Sequence, residues 1–283
     1  MSVESSPATT WSLGFLTQLV RSGVQDLVVS PGSRSQALAL AADALSRTSG
    51  LDLSVHVCID ERTAGFYGAG LAVETAAPTV LLCTSGSAPS HYLPALLEAK
   101  HSGIPLIAVS ADRPAELRGV GANQTTNQAG MFGVAVHASL DVLAPEPAES
   151  LHEQAIQHAR NAVSLALSGA ANGRSGPIHL NIGFREPLSF PITAEELKAS
   201  QAATSDTQHR AVPAPPSRKL TLNPEPGTVV IAGHRAGPEA EALARQLGAA
   251  LIAEVHSGAR FGPNLVVAYR QLLDSPPQGT EIA

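Results

Sequence analysis

The sequence predicts an α/β protein with a parallel sheet flanked by helices on both faces, followed by the start of a second α/β domain. Two observations support this fold class. Short apolar segments alternate with helix-like segments between residues 26 and 109, and each apolar segment leads into a polar turn. Parallel strands joined by right-handed crossover helices produce this alternation and bring the turns that follow the strands to one edge. Ligands of open parallel sheets bind outside that edge, so these turns form the candidate site.

Each element follows from its residue pattern. Apolar side chains at helical spacing predict a first helix over Trp11–Ser22, and Gly23 is a typical C-terminal signal. The strands after it are short apolar runs, whereas the helices are rich in alanine and leucine or have one apolar face. In chain order the sequence predicts strand Asp26–Ser30, a helix ending near Arg47, strand Leu53–Ile59, a helix beginning at Glu61, strand Pro78–Cys83, a helix ending near His101, strand Ile104–Val109, strand Val136–Leu143, helix Glu149–Leu167 and strand Pro177–Ile182.

The chain changes character near residue 190. Residues 191–227 are dominated by Ala, Thr, Gln, Pro and Ser, which predicts an interdomain linker with a short helix at Ala194–Ala199. We therefore assign residues 1–190 to a first domain and residues 228–283 to an incomplete second domain. The second domain is predicted to contain strand Thr228–Ala232, helix Pro238–Leu247 and strand Leu251–Val255.

Composition argues against several classes of function. Aromatic residues make up only 4% of the chain and the net charge is −6, which disfavours binding to nucleic acid or to an anionic membrane. The N-terminus lacks the basic and apolar regions of a signal peptide, and no run of about 18 apolar residues occurs, so we expect a cytoplasmic protein. Cys58 and Cys83 are expected to be reduced core residues, and no histidine spacing predicts a metal site.

Glu61 stands between a predicted strand and a predicted helix. The preceding run, Val55–Ile59, is apolar enough to predict a buried strand, and the helix contains many small residues, which predicts close packing. Seen alone, Glu61 is an acidic residue that complements the helix dipole, with Asp60 as N-cap. The alternative is a carboxyl group in an apolar crevice, where desolvation raises its proton affinity and makes it available for proton transfer.

The turn Ser30-Pro-Gly-Ser-Arg-Ser35 combines hydroxyl groups, a glycine and a helix N-terminus. Such a turn suits a carboxylate or phosphate, with Arg34 as a bidentate partner. A plain N-capped turn with a solvent-facing arginine is the alternative. Thr84-Ser-Gly-Ser87 is a similar turn without a basic residue.

Two further turns carry polar side chains whose roles the sequence leaves open. Asp112 and Arg113 form either a structural ion pair at a strand exit or part of a binding site. Asn123 and Gln124 follow Gly121 and supply neutral donors and acceptors, although ordinary turn chemistry explains them equally well.

Five motifs, taken together, resemble those of one family. They are Ser30-Pro-Gly-Ser-Arg34, Asp60-Glu-Arg62, Thr84-Ser-Gly86, Ala111-Asp-Arg-Pro114 and Gly121-Ala-Asn-Gln124. Their order and spacing are similar to those of the 2-succinyl-5-enolpyruvyl-6-hydroxy-3-cyclohexene-1-carboxylate synthases, thiamine-diphosphate-dependent enzymes of menaquinone biosynthesis. The resemblance covers Trp11–Pro187 strongly and continues more loosely to Val255. It implies the pyrimidine-binding fold of thiamine-diphosphate enzymes for the first domain.

The resemblance also implies a transferase reaction. Members of this family decarboxylate 2-oxoglutarate and add the resulting succinyl-semialdehyde carbanion to isochorismate. By motif match, Glu61 is the catalytic residue, facing the aminopyrimidine ring of thiamine diphosphate and exchanging a proton with its N1′ atom. Ser85 also lines the cofactor crevice. The substrate contacts that the motifs imply are Ser33, Arg34, Arg113, Asn123 and Gln124.

The resemblance has limits. Family members have three domains, and their active sites lie between the subunits of a homodimer or homotetramer. The G-D-G…N motif that binds Mg²⁺ and diphosphate in the third domain does not occur in these 283 residues. We therefore expect the metal and diphosphate site in a domain absent from this chain, and expect this segment alone to be inactive. Ser87–His91 also departs from the apolar helix start that is usual after the third motif.

Two other functions stay open at this stage. One is another thiamine-diphosphate enzyme, of the acetohydroxyacid synthase or decarboxylase type, although those relatives do not combine Arg34 with a Gly-Ala-Asn-Gln turn. The other is a non-catalytic truncated paralogue or binding module of the same fold, for which Glu61 would be dispensable.

Overall fold

The computed structural model describes residues 6–168, 174–205, 221–223 and 225–275. The chain divides into two compact units, Met1–Arg210 and Ala211–Ala283. The strands of the first unit are β1 Asp26–Val29, β2 Ser54–Val57, β3 Thr79–Cys83, β4 Leu106–Asp112, β5 Ser139–Val142 and β6 Ile178–Gly183. Its helices are α1 Pro7–Arg21, α2 Gln36–Ser46, α3 Glu61–Thr75, α4 Leu93–Ser102, α5 Leu151–Ser168 and α6 Ala194–Ala203.

The six strands form one sheet in the order β2-β1-β3-β4-β6-β5, and every neighbouring pair is parallel. Successive side chains of a strand point to opposite faces, and both faces of this sheet are covered. Leu82 packs in a core with α1, α2 and α5, whereas its neighbours Leu81 and Cys83 pack in a second core with α3 and α4. Burying each large aliphatic side chain stabilises the fold by roughly 1.5–3 kcal/mol. The predicted fold class is confirmed.

One strand differs from its prediction. The apolar run that ends at Ile59 predicts a buried strand, but β2 lies at the edge of the sheet and pairs only with β1. Val57 is 70% exposed and Ile59 is 76% exposed. An apolar sequence does not distinguish a central strand from an edge strand that presents its side chains to another surface. The prediction of a buried strand is therefore wrong for this chain.

Helix α3 packs unusually close to its neighbours, as its small residues predict. A Cβ atom added at Gly65 would lie 2.8 Å from Cβ of Ala95 in α4, and one added at Gly68 would lie 2.4 Å from Cδ2 of Leu81 in β3. Neither distance is tolerated without movement of the neighbour. The glycines therefore let the backbone of α3 approach both α4 and the sheet.

Part of the predicted linker packs on the first unit. Helix α6, predicted as Ala194–Ala199, begins with a capping box between Thr193 and Glu196. The side chain of Ser200 lies 2.8 Å from the Thr17 hydroxyl of α1, and Arg21 donates to the Thr204 hydroxyl at 3.0 Å. Residues 206–220 and 224, where most of the linker is predicted, lie outside the described residues.

The second unit contains the strand–helix–strand segment that the sequence predicts. β7 (Val229–Ala232) and β8 (Ala250–Ala253) pair in parallel, α7 (Pro238–Leu247) connects them, and a short α8 (Tyr269–Asp274) follows. The buried apolar residues of this unit are few and mostly alanine: Ala232, Ala244, Leu251, Ala253 and Ala259. The domain boundaries drawn from the sequence stay a prediction.

The packing of α3 predicts opposite effects for two glycine substitutions. Gly65→Ala places a methyl group against the fixed Cβ of Ala95, so we expect the free energy of unfolding to fall by about 1–3 kcal/mol. Gly70→Ala is the matched control on the same helix, because a Cβ there meets nothing within 4 Å. We expect Gly70→Ala to stabilise the protein by roughly 0.5–1 kcal/mol. Urea denaturation measures the change in the free energy of unfolding for both variants. Equal changes would contradict the close approach of α3 to α4 at Gly65.

Candidate functional site

The turns after four adjacent strands meet at one edge of the sheet. In the order β2, β1, β3, β4, these strands lead into the segments that contain Glu61, Arg34, Ser85 and Arg113. The turns after β1 and β3 are in contact, because a Cβ added at Gly32 would lie 2.3 Å from Cβ of Thr84. Any larger residue at Gly32 would separate these turns. The predicted convergence of the polar turns is thus observed.

Ser85, Arg113 and Gln124 form one hydrogen-bonded cluster. Arg113 Nη1 donates to the Ser85 hydroxyl and, at 2.8 Å, to the carbonyl oxygen of Gln124. The Gln124 side-chain amide donates to the carbonyl oxygen of Ser85 at 2.9 Å. Gln124 adopts a φ of +51°, a conformation that few non-glycine residues take, so the turn is held by these contacts. The structure brings together three of the predicted site residues.

Arg34 lies beside this cluster and is largely buried, with its side chain 11% exposed. Its Nη1 atom donates to the Phe184 carbonyl at 2.9 Å and lies 3.5 Å from Oε1 of Glu186. Burial lowers the pKa of Arg34, and the positive charge of Arg113 lowers it further. The two arginines concentrate positive charge at this edge, where it could attract an anion, and the carboxylates of Glu186 and Asp112 offset part of that charge.

The two remaining predicted substrate contacts lie outside this network. Ser33 and Asn123 are exposed, and neither side chain makes a hydrogen bond within the described part of the chain. Ser33 directly precedes Arg34 and Asn123 directly precedes Gln124 in the same turns. Both therefore border the site, but no side-chain hydrogen bond fixes them there. Their role in binding stays a prediction.

Glu61 is the first residue of α3 and is partly buried. Asp60 caps the helix, because its Oδ1 atom accepts the Thr63 backbone N–H at 2.8 Å, and this bond lowers the pKa of Asp60. Burial raises the pKa values of Cys83 and Tyr92, and the negative charge of Glu61 raises both further. Glu61 is therefore electrostatically coupled to the α3/α4 side of the sheet.

Exposed apolar side chains lie on the elements that flank Glu61. Its outer side adjoins the edge strand β2, and the apolar side chains of that region face solvent rather than another element. Phe66 is 48% exposed and Tyr67 is 46% exposed on the same helix. Glu61 itself is partly buried, so the prediction of a carboxyl group in an apolar crevice stays a prediction.

Asp112 has a different partner from the one the sequence suggests. The fully buried Asp112 carboxylate lies 3.0 Å from Nε of Arg118, whereas Arg113 offers it only a backbone N–H, at 2.7 Å. Arg118 also donates to Asp141 at 2.7 Å. This pairing leaves the side chain of Arg113 free to reach the turn after β3. The alternative of an Asp112–Arg113 ion pair is therefore wrong.

A buried polar network, which the sequence reasoning missed, supports the basic half of the site. The Asn181 side chain in β6 donates to Asp112 at 2.9 Å and to Asp141 at 2.8 Å. Gln128 donates to the Asn181 oxygen at 2.9 Å and accepts the Gly86 backbone N–H at 2.8 Å. The turn after β3 is thereby fixed to β4 and β6. The one signal in the sequence is that polar residues interrupt an otherwise apolar strand.

His179 occupies the centre of this network. Its ring nitrogens lie 2.8 Å from the Ser110 hydroxyl and 3.1 Å from the Ser139 hydroxyl. Burial lowers the pKa of His179 to about 4. The imidazole is therefore neutral at physiological pH and joins β4, β5 and β6 through hydrogen bonds.

The described residues show neither the pattern of a metal site nor that of a membrane span. They contain no group of three or more His, Cys, Asp or Glu residues that could hold a metal, and no helix among them is long and apolar enough to cross a membrane. Ser30 Oγ and Tyr92 Oη are buried on the face covered by α3 and α4, beside Cys83, and neither oxygen makes a well-aligned hydrogen bond.

Residues 11–131 match the family described as thiamine pyrophosphate enzyme, N-terminal TPP binding domain. The chain is 48% identical over 98% of its length to a 2-succinyl-5-enolpyruvyl-6-hydroxy-3-cyclohexene-1-carboxylate synthase of Leifsonia xyli, of which it covers 46%. Synthases of the same name from Clavibacter michiganensis and Renibacterium salmoninarum are 46% and 43% identical, with 47% and 44% of their lengths covered. The chain thus spans about half the length of these curated relatives. The resemblance inferred from the five motifs is confirmed.

The burial of His179 predicts a specific loss of stability in acid. The pKa of His179 is lowered from 6.5 to about 4 in the folded protein, so the unfolded state binds more protons between these values. The free energy of unfolding therefore falls as the pH drops from 6.5 towards 4. In His179→Gln this contribution is absent. We therefore expect the free energy of unfolding to fall by about 2–3 kcal/mol less between pH 7 and pH 4.5 in this variant than in the natural protein.

Urea denaturation at the two pH values measures this difference. His101→Gln is the matched control, because His101 is exposed at the end of α4. An unchanged acid dependence in His179→Gln would show that other groups are responsible.

Proposed function

From its similarity to 2-succinyl-5-enolpyruvyl-6-hydroxy-3-cyclohexene-1-carboxylate synthases, we infer that this chain is the N-terminal portion of such a synthase. We propose that the intact enzyme decarboxylates 2-oxoglutarate and adds the four-carbon product to isochorismate in menaquinone biosynthesis. The observation that carries this proposal is the position of Glu61 at the same sheet edge as the neighbouring arginines Arg34 and Arg113. A proton-transfer group and an anion-binding pocket are what this reaction requires from one site.

Thiamine diphosphate, when bound, supplies the electron sink that stabilises the carbanion left by decarboxylation. The residues of this chain would bind and orient the cofactor ring and the substrates. Glu61 would hold a proton at the N1′ atom of the aminopyrimidine ring, since α3 begins with Glu61 at the edge of the sheet where ligands bind. Ser85 would line the same crevice, because its backbone and hydroxyl are fixed by Gln124 and Arg113.

Arg34 and Arg113 would bind the carboxylates of the two substrates. A guanidinium group presents paired donors that match a carboxylate, and burial followed by the charge of the nearby Arg113 lowers the pKa of Arg34. A bound anion relieves that repulsion, which favours binding. Ser33, Asn123 and Gln124 border this pocket and would supply further hydrogen bonds.

The cofactor site would be completed outside this chain. The chain spans about half the length of its relatives, and the G-D-G…N motif for Mg²⁺ and diphosphate is absent from its sequence. We propose that Mg²⁺ and the diphosphate are bound by another part of the enzyme, and that the enzyme is a cytoplasmic homodimer or homotetramer. The exposed apolar side chains near Glu61 support an association that covers this side.

Substitution of Glu61 tests the proposal in the full-length protein. We expect Glu61→Gln to lower turnover of 2-oxoglutarate plus isochorismate by about 100- to 10,000-fold, because the amide cannot exchange the proton. Glu74→Gln, an exposed residue on the same helix, is the matched control and should retain full turnover. Product formation from pyruvate instead of 2-oxoglutarate would favour the acetohydroxyacid synthase alternative. Unchanged turnover in Glu61→Gln would favour a non-catalytic module.

Substitution of Arg113 tests the anion pocket. Lysine keeps the charge but lacks the planar, paired donors that match a carboxylate, so we expect Arg113→Lys to lower kcat/KM by about 10- to 100-fold, mainly through KM. Arg47→Lys is the control, because Arg47 forms an exposed pair with Asp43 on α2. Steady-state kinetics with each substrate varied in turn measures the effect. If Arg113→Lys changed kcat/KM no more than Arg47→Lys does, Arg113 would not be a substrate-binding residue.

A further inference from the structure

A small group of buried polar side chains lies beneath Glu61. Ser30 follows β1 and Cys83 ends β3, and their strands are neighbours, with the Ser30 backbone N–H donating to the Leu82 carbonyl at 2.8 Å. Because side chains alternate along a strand, Ser30 and Cys83 point to the face that holds Val28 and Leu81. This is the face covered by α3 and α4, and both residues are fully buried there.

Tyr92 covers this group from the start of α4. Its side chain is fully buried, and its ring lies against α3, because a Cβ added at Gly65 would be 3.5 Å from Tyr92 Cδ1. Gly65 follows Glu61 by four residues, so the two occupy the same side of the helix. The ring of Tyr92 therefore lies against the helical turn that begins at Glu61. The coupling of Glu61 to Tyr92 and Cys83 agrees with this placement.

The hydrogen bonds in this group are incomplete. Ser30 Oγ and Tyr92 Oη are buried, and although Tyr92 lies beside Ser30 and Cys83, neither oxygen makes a well-aligned hydrogen bond. Glu61 makes no side-chain hydrogen bond within the described part of the chain. A buried hydroxyl group without a partner costs about 1–3 kcal/mol, and folded proteins rarely leave one so. Two hydroxyl donors and one carboxylate acceptor are chemically complementary. A water molecule with two to four polar partners is the usual solution for such groups.

We propose that Tyr92 and Ser30 are positioning residues for Glu61, and that one bound water molecule joins their hydroxyl groups to its carboxylate. The open side of Glu61 faces solvent, so without these donors its side chain is free to rotate away from the sheet edge. With them, the carboxylate is held over the carboxyl ends of β1 and β3. The importance of this orientation for chemistry rests on the proposed function, whereas the hydrogen bonds themselves do not.

A double-mutant cycle in the full-length protein tests the inference. Tyr92→Phe removes only the hydroxyl group and Glu61→Ala removes the acceptor. We expect Tyr92→Phe to lower the thermal unfolding midpoint by about 2 °C or more in the natural background, and by less than half as much in the Glu61→Ala background. Ser30→Ala, the second variant, should show the same dependence on Glu61.

Thr79→Val is the matched control. The Thr79 hydroxyl is also buried without a partner on the same face of β3, but it lies at the opposite end of the strand, beside Gly68. Its removal should have the same effect whether residue 61 is Glu or Ala. Effects of Tyr92→Phe and Ser30→Ala that are independent of Glu61, or a midpoint that does not fall, would overturn the proposal.

A second measurement connects the group to the ligand. Calorimetric titration with thiamine diphosphate and Mg²⁺ should show weaker binding in Tyr92→Phe than in the natural protein, by about fivefold, and no difference once Glu61 is Ala. Loss of all thiamine diphosphate binding in the natural protein would refute the proposed function, while the unfolding cycle would still test the hydrogen bonds. A high-resolution crystal structure with a direct Tyr92–Glu61 contact and no water would overturn the bridge.

Discussion

The common direction of β2, β1, β3 and β4 is the constraint on which the rest of the candidate site depends. Because these strands are parallel, the chain leaves all of them at the same edge, and four turns that are distant in sequence become neighbours. One reversed strand would send its turn to the opposite edge. The contact between Gly32 and Thr84 shows how little room is left between adjacent turns. The edge is therefore a crowded row of polar groups rather than an open surface.

The two halves of this edge are held by different forces. On the acidic side, Glu61 owes its position to backbone proximity, since Gly65 lets α3 approach α4. On the basic side, hydrogen bonds between polar side chains hold the turns. The buried Asp112 carboxylate is bound by donors from Arg118, Asn181 and the Arg113 backbone. Removing one partner from such a group leaves a charge that is costly to bury, which makes the network cooperative. Gln128 connects this network to the turn between the two halves.

The sequence predicts the elements and the edge at which they converge, because periodicity and turn residues are local properties. It predicts Arg113 and Gln124 as site residues but not that one donates to the carbonyl of the other, since that depends on the path of the loop. Asn181 and Gln128 were missed for the same reason: their partners lie on other strands or turns. The edge position of β2 was also missed. An apolar run predicts that its side chains are buried, but it does not tell whether the same chain or another surface buries them.

The outward face of β2 and α3 has a consequence for production of the protein. Four apolar side chains are exposed beside a strand that, among the described residues, pairs with a neighbour on one side only: Val57, Ile59, Phe66 and Tyr67. Surfaces of this kind adhere to one another and template aggregation. In a newly synthesised chain, correct association of this surface therefore competes kinetically with aggregation. The yield of folded protein will consequently depend on how fast that surface is covered, and not on the stability of the sheet alone.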